Sequence, residues 1–414
     1  MKCTFGNTVL RRLASARAWR RFVATLFACL LAACAGERHV LPQQAYVWQR
    51  QWDAALVSAL ADSRDFVAGL RVLALQRDAQ GRWIEPGPDL AALAADARGV
   101  VATVRMDGRV APGDDPANAA RIAVLAQRWR DAGVALTGVE IDHDCATAQL
   151  DAYADWLRQL RAALPPATRL SITALPAWRA APALARIVDA VDETVLQVHA
   201  VADPVRGLFD RPTARGWIAD WARRSADKPF RVALPAYGAA LKLDADGGVL
   251  AVESEQPLAA SAHAVREIAV DPREVAALLR ELEARPPPTL AGIVWFRLPR
   301  AGDRRAWPLA TLRAVATAQP LRADLRFALR ASGGAYDVVA TNAGVLDADL
   351  PATLRVAAAC TVGDGVAGYR YEQGPRVQFF RRDTHATLRA GSERVLGWLR
   401  CDLKESGDVG VEAH

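Results

Sequence analysis

Short, nearly continuous apolar segments recur through the first three quarters of the chain, and a helical pattern follows each of them. The runs at residues 100–104 and 293–296 are typical. Strands that are buried on both faces have this composition, and parallel strands covered by helices are the usual case. The pattern predicts eight strands, at residues 45–51, 69–76, 99–106, 133–144, 168–175, 193–200, 230–237 and 292–298.

Between these runs, apolar residues recur at helical spacing. Residues 118–132 and 147–164 each carry one apolar stripe, and Asn118 and Thr147 are candidate N-caps. Asp271 followed by Pro272 predicts the start of another helix. Eight strand–helix alternations over residues 45–320 predict an α/β fold, a (β/α)8 barrel of the TIM type. A doubly wound open sheet is the alternative, although it does not need eight consecutive repeats.

Beyond residue 320 the helical spacing stops. Short β-like runs alternate with Gly, Asp and Asn turns, which predicts a small all-β, sandwich-like accessory domain over residues 321–403 and a tail over 404–414. A carbohydrate-binding module and a packing domain are both compatible with this pattern. The predicted strands are residues 325–331, 336–341, 353–360, 369–371, 376–381 and 395–401.

The formal charge of +6 comes from one end of the chain. Six basic residues precede position 34 without any acidic residue, so a nucleic-acid partner is not expected for the rest. The apolar run 22–33 follows them, which predicts a signal peptide over residues 1–34. Because Leu31-Ala32-Ala33-Cys34 resembles a lipobox, we expect a lipid on Cys34, a tether over 35–44 and attachment to the outer membrane facing the periplasm. A plain secretory signal and a short buried helix are the alternatives.

The six cysteines divide by position. Cys3 and Cys29 lie in the signal peptide, and Cys34 carries the lipid. In an oxidising compartment Cys360 and Cys401 are expected to form a disulfide, with Cα atoms within about 7 Å, and Cys145 stays unpaired. Since the chain has no C-x-x-C spacing, we expect no zinc or redox site and no cofactor.

The residues with the clearest chemistry end the fourth predicted strand. Alternation along a strand places Glu140, Asp142 and Asp144 on one face and His143 on the other. Three stacked carboxylates repel one another, so one is expected to hold a proton and act as a general acid. A solvated acidic surface is disfavoured by the apolar residues around them. A metal site is disfavoured because His143 points away from the acids.

This segment resembles the fourth-strand signature of family-18 glycoside hydrolases, the chitinase-like enzymes, which reads Gly-apolar-Asp-apolar-Asp-apolar-Glu. Three further segments resemble motifs of that family in the same order. The chain is also similar to an uncharacterised family of bacterial lipoproteins. The three segments are residues 196–199 (Leu-Gln-Val-His), 233–238 (Ala-Leu-Pro-Ala-Tyr-Gly) and 292–295 (Gly-Ile-Val-Trp).

The resemblance implies a role for each acid. Asp144 would protonate the leaving oxygen, Asp142 would orient the 2-acetamido group that attacks the anomeric carbon, and Glu140 would tune Asp142. The chain departs from the family in having Asp144 where the family has a longer Glu, and His199 where it has a Tyr. If that mechanism does not operate, Asp107 at the end of the third strand is the natural partner for Asp144.

Other side chains are candidates for substrate binding. The resemblance implies that Trp295 forms the floor under the sugar, and Gln197, His199 and Tyr237 occupy matching motif positions. Trp48 and Trp178 lie near strand ends, where aromatic faces can stack on sugar rings. Arg297 is expected to pair with the acidic cluster or with an acidic sugar.

We therefore expect a glycoside hydrolase-like envelope lipoprotein that acts on a periplasmic or extracellular glycan. A glycan-binding lipoprotein that has lost the catalytic acid is the alternative from another class. A structural envelope lipoprotein that uses the barrel only as a scaffold is the third.

Overall fold

The computed structural model describes residues 40–107, 116–199, 207–225, 227–244, 246, 248–253, 264–401 and 411–413. Eight parallel strands form a closed barrel, because the first strand pairs with both the second and the last. All eight predicted strands and the (β/α)8 architecture are confirmed. The barrel strands are β1 (Gln43–Val47), β2 (Gly69–Arg77), β4 (Gly99–Met106), β5 (Leu136–Asp142), β6 (Arg169–Ala174), β7 (Glu193–Gln197), β8 (Phe230–Pro235) and β12 (Leu290–Phe296).

Helices lie between the barrel strands. Three of them begin at an aspartate N-cap. The carboxylates of Asp53, Asp89 and Asp271 accept from the backbone N–H groups of Leu56, Ala92 and Arg273 respectively. The predicted cap at Asn118 is wrong, because its helix begins two residues earlier. The helices are α1 (Ala54–Asp62), α2 (Leu90–Asp96), α3 (Pro116–Asp131), α4 (Leu150–Ala163), α5 (Leu184–Asp189), α6 (Arg211–Arg224), α7 (Pro272–Ala284) and α8 (Leu309–Ala316). The predicted cap at Thr147 is also wrong. Thr147 begins a short 3₁₀ turn before α4, and its side chain does not cap that helix.

None of the helices among the described residues is long and apolar enough to cross a bilayer.

Side-chain alternation along each barrel strand separates two environments. Outward residues such as Val104 and Ile141 join the main core between strands and helices. Inward residues form an apolar cluster on one side of the barrel, with members such as Tyr46 and Val294. On the other side the inward positions are polar, and this polar half carries the candidate site described below.

Two additions to the barrel are not predicted by the sequence patterns. A short strand, β3 (Trp83–Ile84), pairs antiparallel with β2. Between β8 and α7 the chain forms an antiparallel sheet of three strands. Its strands are β9 (Ala239–Leu243), β10 (Val249–Glu253) and β11 (Ala264–Ile268).

The C-terminal region is all β, as predicted. Two four-stranded antiparallel sheets share one core, to which Val338 and Leu396 contribute from the first sheet and Leu354 and Phe380 from the second. The first sheet contains β13 (Leu325–Ser332), β14 (Ala335–Asn342), β21 (Glu393–Cys401) and β17 (Cys360–Gly365). The second contains β18 (Arg370–Glu372), β19 (Gln378–Arg381), β16 (Thr353–Val356) and β22 (Val411–Ala413), while β15 (Ala348–Asp349) pairs with β20 (Thr387–Leu388).

The cysteine predictions that fall on described residues are confirmed. Cys360 and Cys401 form a disulfide between β17 and β21, with Cα atoms 4.0 Å apart. Cys145 is the free cysteine of the described part of the chain, and burial raises the pKa of its thiol to about 11. The predicted signal peptide, the predicted lipid site Cys34 and most of the predicted tether lie outside the described residues.

The sandwich contacts the barrel near the end of its last strand. The Arg389 guanidinium donates to the backbone carbonyls of Asp303 and Ala306, in the segment that leads from β12 to α8. The Thr311 hydroxyl, within α8, donates to the Val345 carbonyl of the sandwich. The two parts of the chain are therefore joined by side-chain to backbone hydrogen bonds on both sides of the junction.

Candidate functional site

The candidate site lies at the carboxyl ends of β4 and β5, where TIM-type barrels carry their active sites. Arg105 is at its centre. Its Nε lies 2.9 Å from Asp107 Oδ1, its Nη1 lies 2.9 Å from Asp142 Oδ2, and its Nη2 lies 2.7 Å from Asp144 Oδ2. One guanidinium therefore binds three of the carboxylates that the sequence singled out.

The three acids differ in exposure and in their other partners. Asp142 is buried and accepts a second hydrogen bond from the Thr173 hydroxyl, at 2.7 Å. Asp107 also accepts from the Gln76 amide, at 2.8 Å. The Asp144 side chain is 50% exposed, and no partner besides Arg105 is found for it among the described residues. Asp144 is therefore the acid that a ligand in the barrel mouth meets first.

The structure places a cation among the carboxylates, which the expectation of mutual repulsion did not include. Burial alone would lower the pKa of Arg105, but the charges of Asp142 and Asp144 outweigh it and hold that pKa above its ordinary value. Arg105 faces Asp142 because the two residues are register partners across β4 and β5. One fixed cation thus offsets part of the negative charge of the three carboxylates.

Glu140 lies one layer deeper and does not reach the mouth. Its carboxylate pairs with the buried guanidinium of Arg71 from β2, which also pairs with Glu193 from β7. Burial raises the pKa of Glu140, and the opposing effect of the Arg71 charge is too small to reverse that shift. This buried group of three charges, Arg71, Glu140 and Glu193, is called the barrel network below.

Aromatic rings occupy the inward positions on the opposite side of the mouth. Tyr46, Trp48 and Phe296 pack on one another with ring centroids 5.5 to 5.8 Å apart. The Phe296 ring also contacts His199 and Tyr237, at 5.6 and 5.3 Å. These five residues form the aromatic wall of the mouth.

His199 belongs to this wall as a neutral side chain. It is buried, and its Nδ1 lies 3.3 Å from the carbonyl oxygen of Ala233. Burial lowers its pKa to about 4. Gln197, two residues earlier, is half-buried on the same strand face at the end of β7.

The expected position of Trp295 is wrong. Val294 and Phe296 face the barrel interior, so alternation turns Trp295 outward into the layer between barrel and helices. There it is fully buried, and its indole N–H donates to Gln43 Oε1 at 2.8 Å. The aromatic side chain of β12 at the mouth is Phe296.

Arg297 and Trp178 are also displaced from their expected roles. Arg297 pairs with Asp303, at 2.7 Å, instead of with the acidic cluster. Burial would raise the pKa of Asp303, but the Arg297 charge and the backbone N–H of Ala306 outweigh it, and the pKa lies below its usual range. Trp178 is fully buried and donates to the Cys145 carbonyl, so it does not line the mouth.

His143 takes the face that alternation assigns to it. It is buried on the outer side of the barrel, with Nδ1 2.9 Å from the Met106 carbonyl. Within the described residues, no three His, Cys, Asp or Glu side chains are grouped so as to hold a metal ion.

Two models of domains of unknown function match parts of the chain. A model of a domain of unknown function (DUF3142) matches residues 96–301. A model of a second domain of unknown function (DUF8456) matches residues 325–402, which contain the first sheet of the sandwich and most of the second. No curated protein matches the chain.

Solved structures of chitinases and of a cortex-lytic enzyme are among those similar to the chain. The spore cortex-lytic enzyme SleL of Bacillus cereus is 15% identical, with a TM-score of 0.47 over 64% of this chain and 72% of its own. A chitinase from Chromobacterium violaceum has the same identity and TM-score, over 68% of this chain and 100% of its own. Chitinase ChiA74 from Bacillus thuringiensis is 9% identical, with a TM-score of 0.45 over 90% of this chain and 100% of its own.

Arg105, Phe296 and Tyr46 are site residues that the sequence reasoning missed. Arg105 lies two residues before Asp107 in an apolar run, so alternation places both on one face of β4. A charged residue at an inward position of a buried strand is a usable signal for a buried ion pair. Phe296 was missed because the motif was matched by residue type and not by strand face.

Proposed function

We propose that this protein is a glycan-binding lipoprotein of the bacterial cell envelope, which binds its ligand at the barrel mouth and is anchored through a lipid on Cys34. The observation that carries the proposal is the position of Asp144. It is half-exposed at the mouth and held by Arg105.

The two halves of the mouth suit the two kinds of surface that a sugar presents. Planar charged groups such as Asp144 and Arg105 can bond to neighbouring hydroxyls, and aromatic faces can cover the C–H faces of the ring. Tyr46 lies between the two halves. Its ring packs on Trp48, and burial together with the nearby charge of Glu140 raises the pKa of its hydroxyl. Arg105 is itself 24% exposed, so it too is within reach of a ligand.

Binding is favoured over hydrolysis because of the Arg105 contact. A general acid must approach the leaving oxygen of its substrate, and one oxygen of Asp144 is already held by the Arg105 guanidinium. The side chain of Asp144 is also one methylene shorter than the Glu at the matching position of the family-18 signature. A displacement on the scale of an ångström costs about two orders of magnitude in rate.

Hydrolysis is the second candidate, and one observation favours it. Asp142 ends β5 and Asp144 follows it by two residues, as the two acids do in the signature, and Arg105 holds both, with Asp142 buried and Asp144 half-exposed. In that reading Asp144 protonates the leaving oxygen once a bound sugar has displaced Arg105, and Asp142 orients the acetamido group.

The test measures binding and turnover on one panel of chitin oligomers, peptidoglycan fragments and exopolysaccharides. Calorimetry measures binding to the full-length protein in detergent, and chromatography measures products. We expect binding without turnover, weakened about tenfold or more by Asp144→Asn and by Trp48→Ala. Asp155→Asn is the matched control, because Asp155 is a similarly exposed acid paired with arginines, but on α4.

Each outcome separates the candidates. Turnover that is abolished by Asp144→Asn and kept by Asp155→Asn would establish the hydrolase. Absence of both binding and turnover across the panel would reject both candidates and favour a scaffold role.

The anchor is tested separately, by labelling cells with an alkyne fatty acid. We expect the protein to be labelled in the wild type and in Cys29→Ser, and unlabelled in Cys34→Ser. Equal labelling of the two variants would reject Cys34 as the lipid site.

A further inference from the structure

A cavity lies on the outside of the barrel, between the hairpin of β2 and β3 and the helix α3. It has a volume of about 650 Å³. Cavities that bind small molecules range from about 300 to 1,000 Å³. The hairpin contributes Arg77 and Trp83 to its lining, and the helix contributes Ala120, Arg121 and Leu125. This space is called the hairpin cavity below.

The hairpin cavity is next to the candidate site but shares no side chain with it. Successive residues at the end of β2 face opposite ways. Gln76 points to the barrel mouth, where its amide donates to Asp107, whereas Arg77 lines the cavity. The backbone N–H of Asp107 donates to the Arg77 carbonyl, at 2.8 Å. A ligand in the cavity therefore meets other side chains than a ligand in the mouth.

The charged side chains that line the hairpin cavity are mostly cations. They are Arg77, Arg121 and Arg128, with Glu85 as the one acid among the described residues of the lining. Glu85 is already paired with Arg128, at 2.9 Å. The Arg77 guanidinium lies close to the hairpin turn, since a Cβ added to Gly81 would be 3.3 Å from its Nη2. The lining therefore favours an anion.

Arg121 is the cation that is best placed to bind this anion. Its guanidinium lies over the Trp83 ring, 5.7 Å from the ring centroid. A guanidinium in this position uses its face for the ring and keeps the N–H groups at its edge for hydrogen bonds. Arg121 is exposed, and it has no hydrogen bond or ion pair with any described residue. Its edge is therefore available to a ligand.

The other arginines that lie over aromatic rings are engaged. Each of the five in the described part of the chain also pairs with a carboxylate or donates to a backbone carbonyl. They are Arg179, Arg313, Arg355, Arg381 and Arg382. Arg179, for example, lies over Trp217 and donates to the Pro176 carbonyl and to Asp220. Arg121 differs from all five because its edge donors face the hairpin cavity unpaired.

We propose that the hairpin cavity binds an acidic sugar, with the carboxylate of the sugar on the edge of the Arg121 guanidinium. The planar fork of an arginine matches a carboxylate through paired hydrogen bonds. The volume of the cavity leaves room for the sugar ring, and Trp83 and Leu125 offer apolar contacts to its C–H groups. The preference for an anion follows from the lining alone, whereas the choice of a sugar rests on the proposed function.

The probe is a trimer of galacturonic acid, titrated into the full-length protein in detergent and followed by calorimetry. A galactose trimer of the same linkage is the neutral reference, and sodium chloride keeps the ionic strength equal. We expect saturable binding of the acidic trimer by the wild type. Binding is expected to be at least about tenfold weaker for the neutral trimer, and for the acidic trimer in Arg121→Gln.

Two further variants separate loss of the site from damage to the fold. Ala120→Phe fills the cavity from an exposed position of α3 without changing any charge, and it is expected to abolish binding of the acidic trimer. Arg179→Gln is the matched control, because it removes another arginine that lies over a ring but does not line the cavity. It is expected to bind the acidic trimer as the wild type does.

Three results would overturn the proposal. They are failure of the wild type to bind the acidic trimer, equal affinity of the wild type for the two trimers, and equal affinity of the wild type and Arg121→Gln for the acidic trimer. Binding that is lost in Asp144→Asn and kept in Arg121→Gln would place the acidic sugar in the mouth, which also contradicts it. Arg121 is not part of the mouth, so the titrations with chitin oligomers test the proposed function separately.

Discussion

Arg105 and Asp144 join the ends of two neighbouring barrel strands, with Nη2 of the arginine 2.7 Å from Oδ2 of the acid. The same guanidinium holds Asp142 through Nη1. If Asp144 moves toward a ligand and takes Arg105 with it, the contact between Arg105 and the buried Asp142 changes as well. The proposed function therefore depends on whether the salt bridge between Arg105 and Asp144 breaks when a ligand binds.

Replacing Arg105 tests that dependence. In Arg105→Gln, Asp142 loses its cationic partner and keeps only Thr173, so we expect the free energy of unfolding to fall by about 1–3 kcal/mol, measured by urea denaturation. Arg105→Lys keeps the charge but cannot bond to three carboxylates in fixed directions, so an intermediate loss is expected. A variant as stable as the wild type would mean that the three contacts contribute nothing. Turnover of a glycan that appears only in Arg105→Gln would identify Arg105 as the residue that suppresses catalysis.

The barrel network predicts an asymmetry between its members. Arg71→Met leaves both Glu140 and Glu193 short of a partner, whereas Glu140→Gln leaves Arg71 paired with Glu193. Breaking a buried pair from one side costs about 3–5 kcal/mol. We expect Arg71→Met to lower the free energy of unfolding by an amount in that range or to prevent folding. Glu140→Gln is expected to lower it clearly less. Urea denaturation of both variants measures the difference, and the reverse order would show that Glu193 is held mainly by Arg231.

His199 predicts a loss of stability in acid. Its pKa of about 4 in the folded protein lies below the ordinary value of about 6.5, so between these values the unfolded chain binds a proton that the folded chain does not. Stability from this group is complete above pH 6.5 and falls as the pH drops, by about 3 kcal/mol at pH 4. We expect His199→Gln to lose less stability than the wild type between pH 7 and 4.5 in urea denaturation. Parallel pH profiles for the two proteins would contradict this.

The disulfide between Cys360 and Cys401 closes a loop with a sequence separation of 41 residues. A cross-link of this length restricts the unfolded chain enough to contribute about 4 kcal/mol. We expect the double variant Cys360→Ser/Cys401→Ser to lower the unfolding temperature of the sandwich in calorimetry, and a reductant to do the same to the wild type. Cys145→Ala is the control for effects of a free thiol. An unchanged transition in the double variant would mean that the sheet core alone holds the sandwich together.

The barrel was predictable because its signals are local. Residues 100–104 and 293–296 form continuous apolar runs, since each strand is covered on both faces. The sheet formed by β9, β10 and β11 was not predicted, although Leu241 and Leu243 flank Lys242 in the alternation typical of a strand. An alternating pattern can identify a strand. It does not show that the strand belongs to a separate sheet inserted between two elements of the barrel.

The site was predictable only in part, because its chemistry depends on pairs that are distant in sequence. The spacing of Glu140 and Asp142 places both on one face of β5, where each pairs with an arginine of another strand, and Asp144 follows two residues beyond the end of β5. Nothing local to that segment indicates Arg105 or Arg71, which come from other strands. The arginines that pair with these acids could therefore not be predicted from that segment alone.

The contact of Arg389 with Asp303 and Ala306 has a consequence for how the chain can be shortened. Asp303 fixes Arg297, and Ala306 forms a bridge with Tyr237, a member of the aromatic wall. The sandwich is therefore a brace for the rim of the barrel. A version of the protein that ends near residue 320 keeps every barrel strand but loses the contacts that support the rim beside the candidate site.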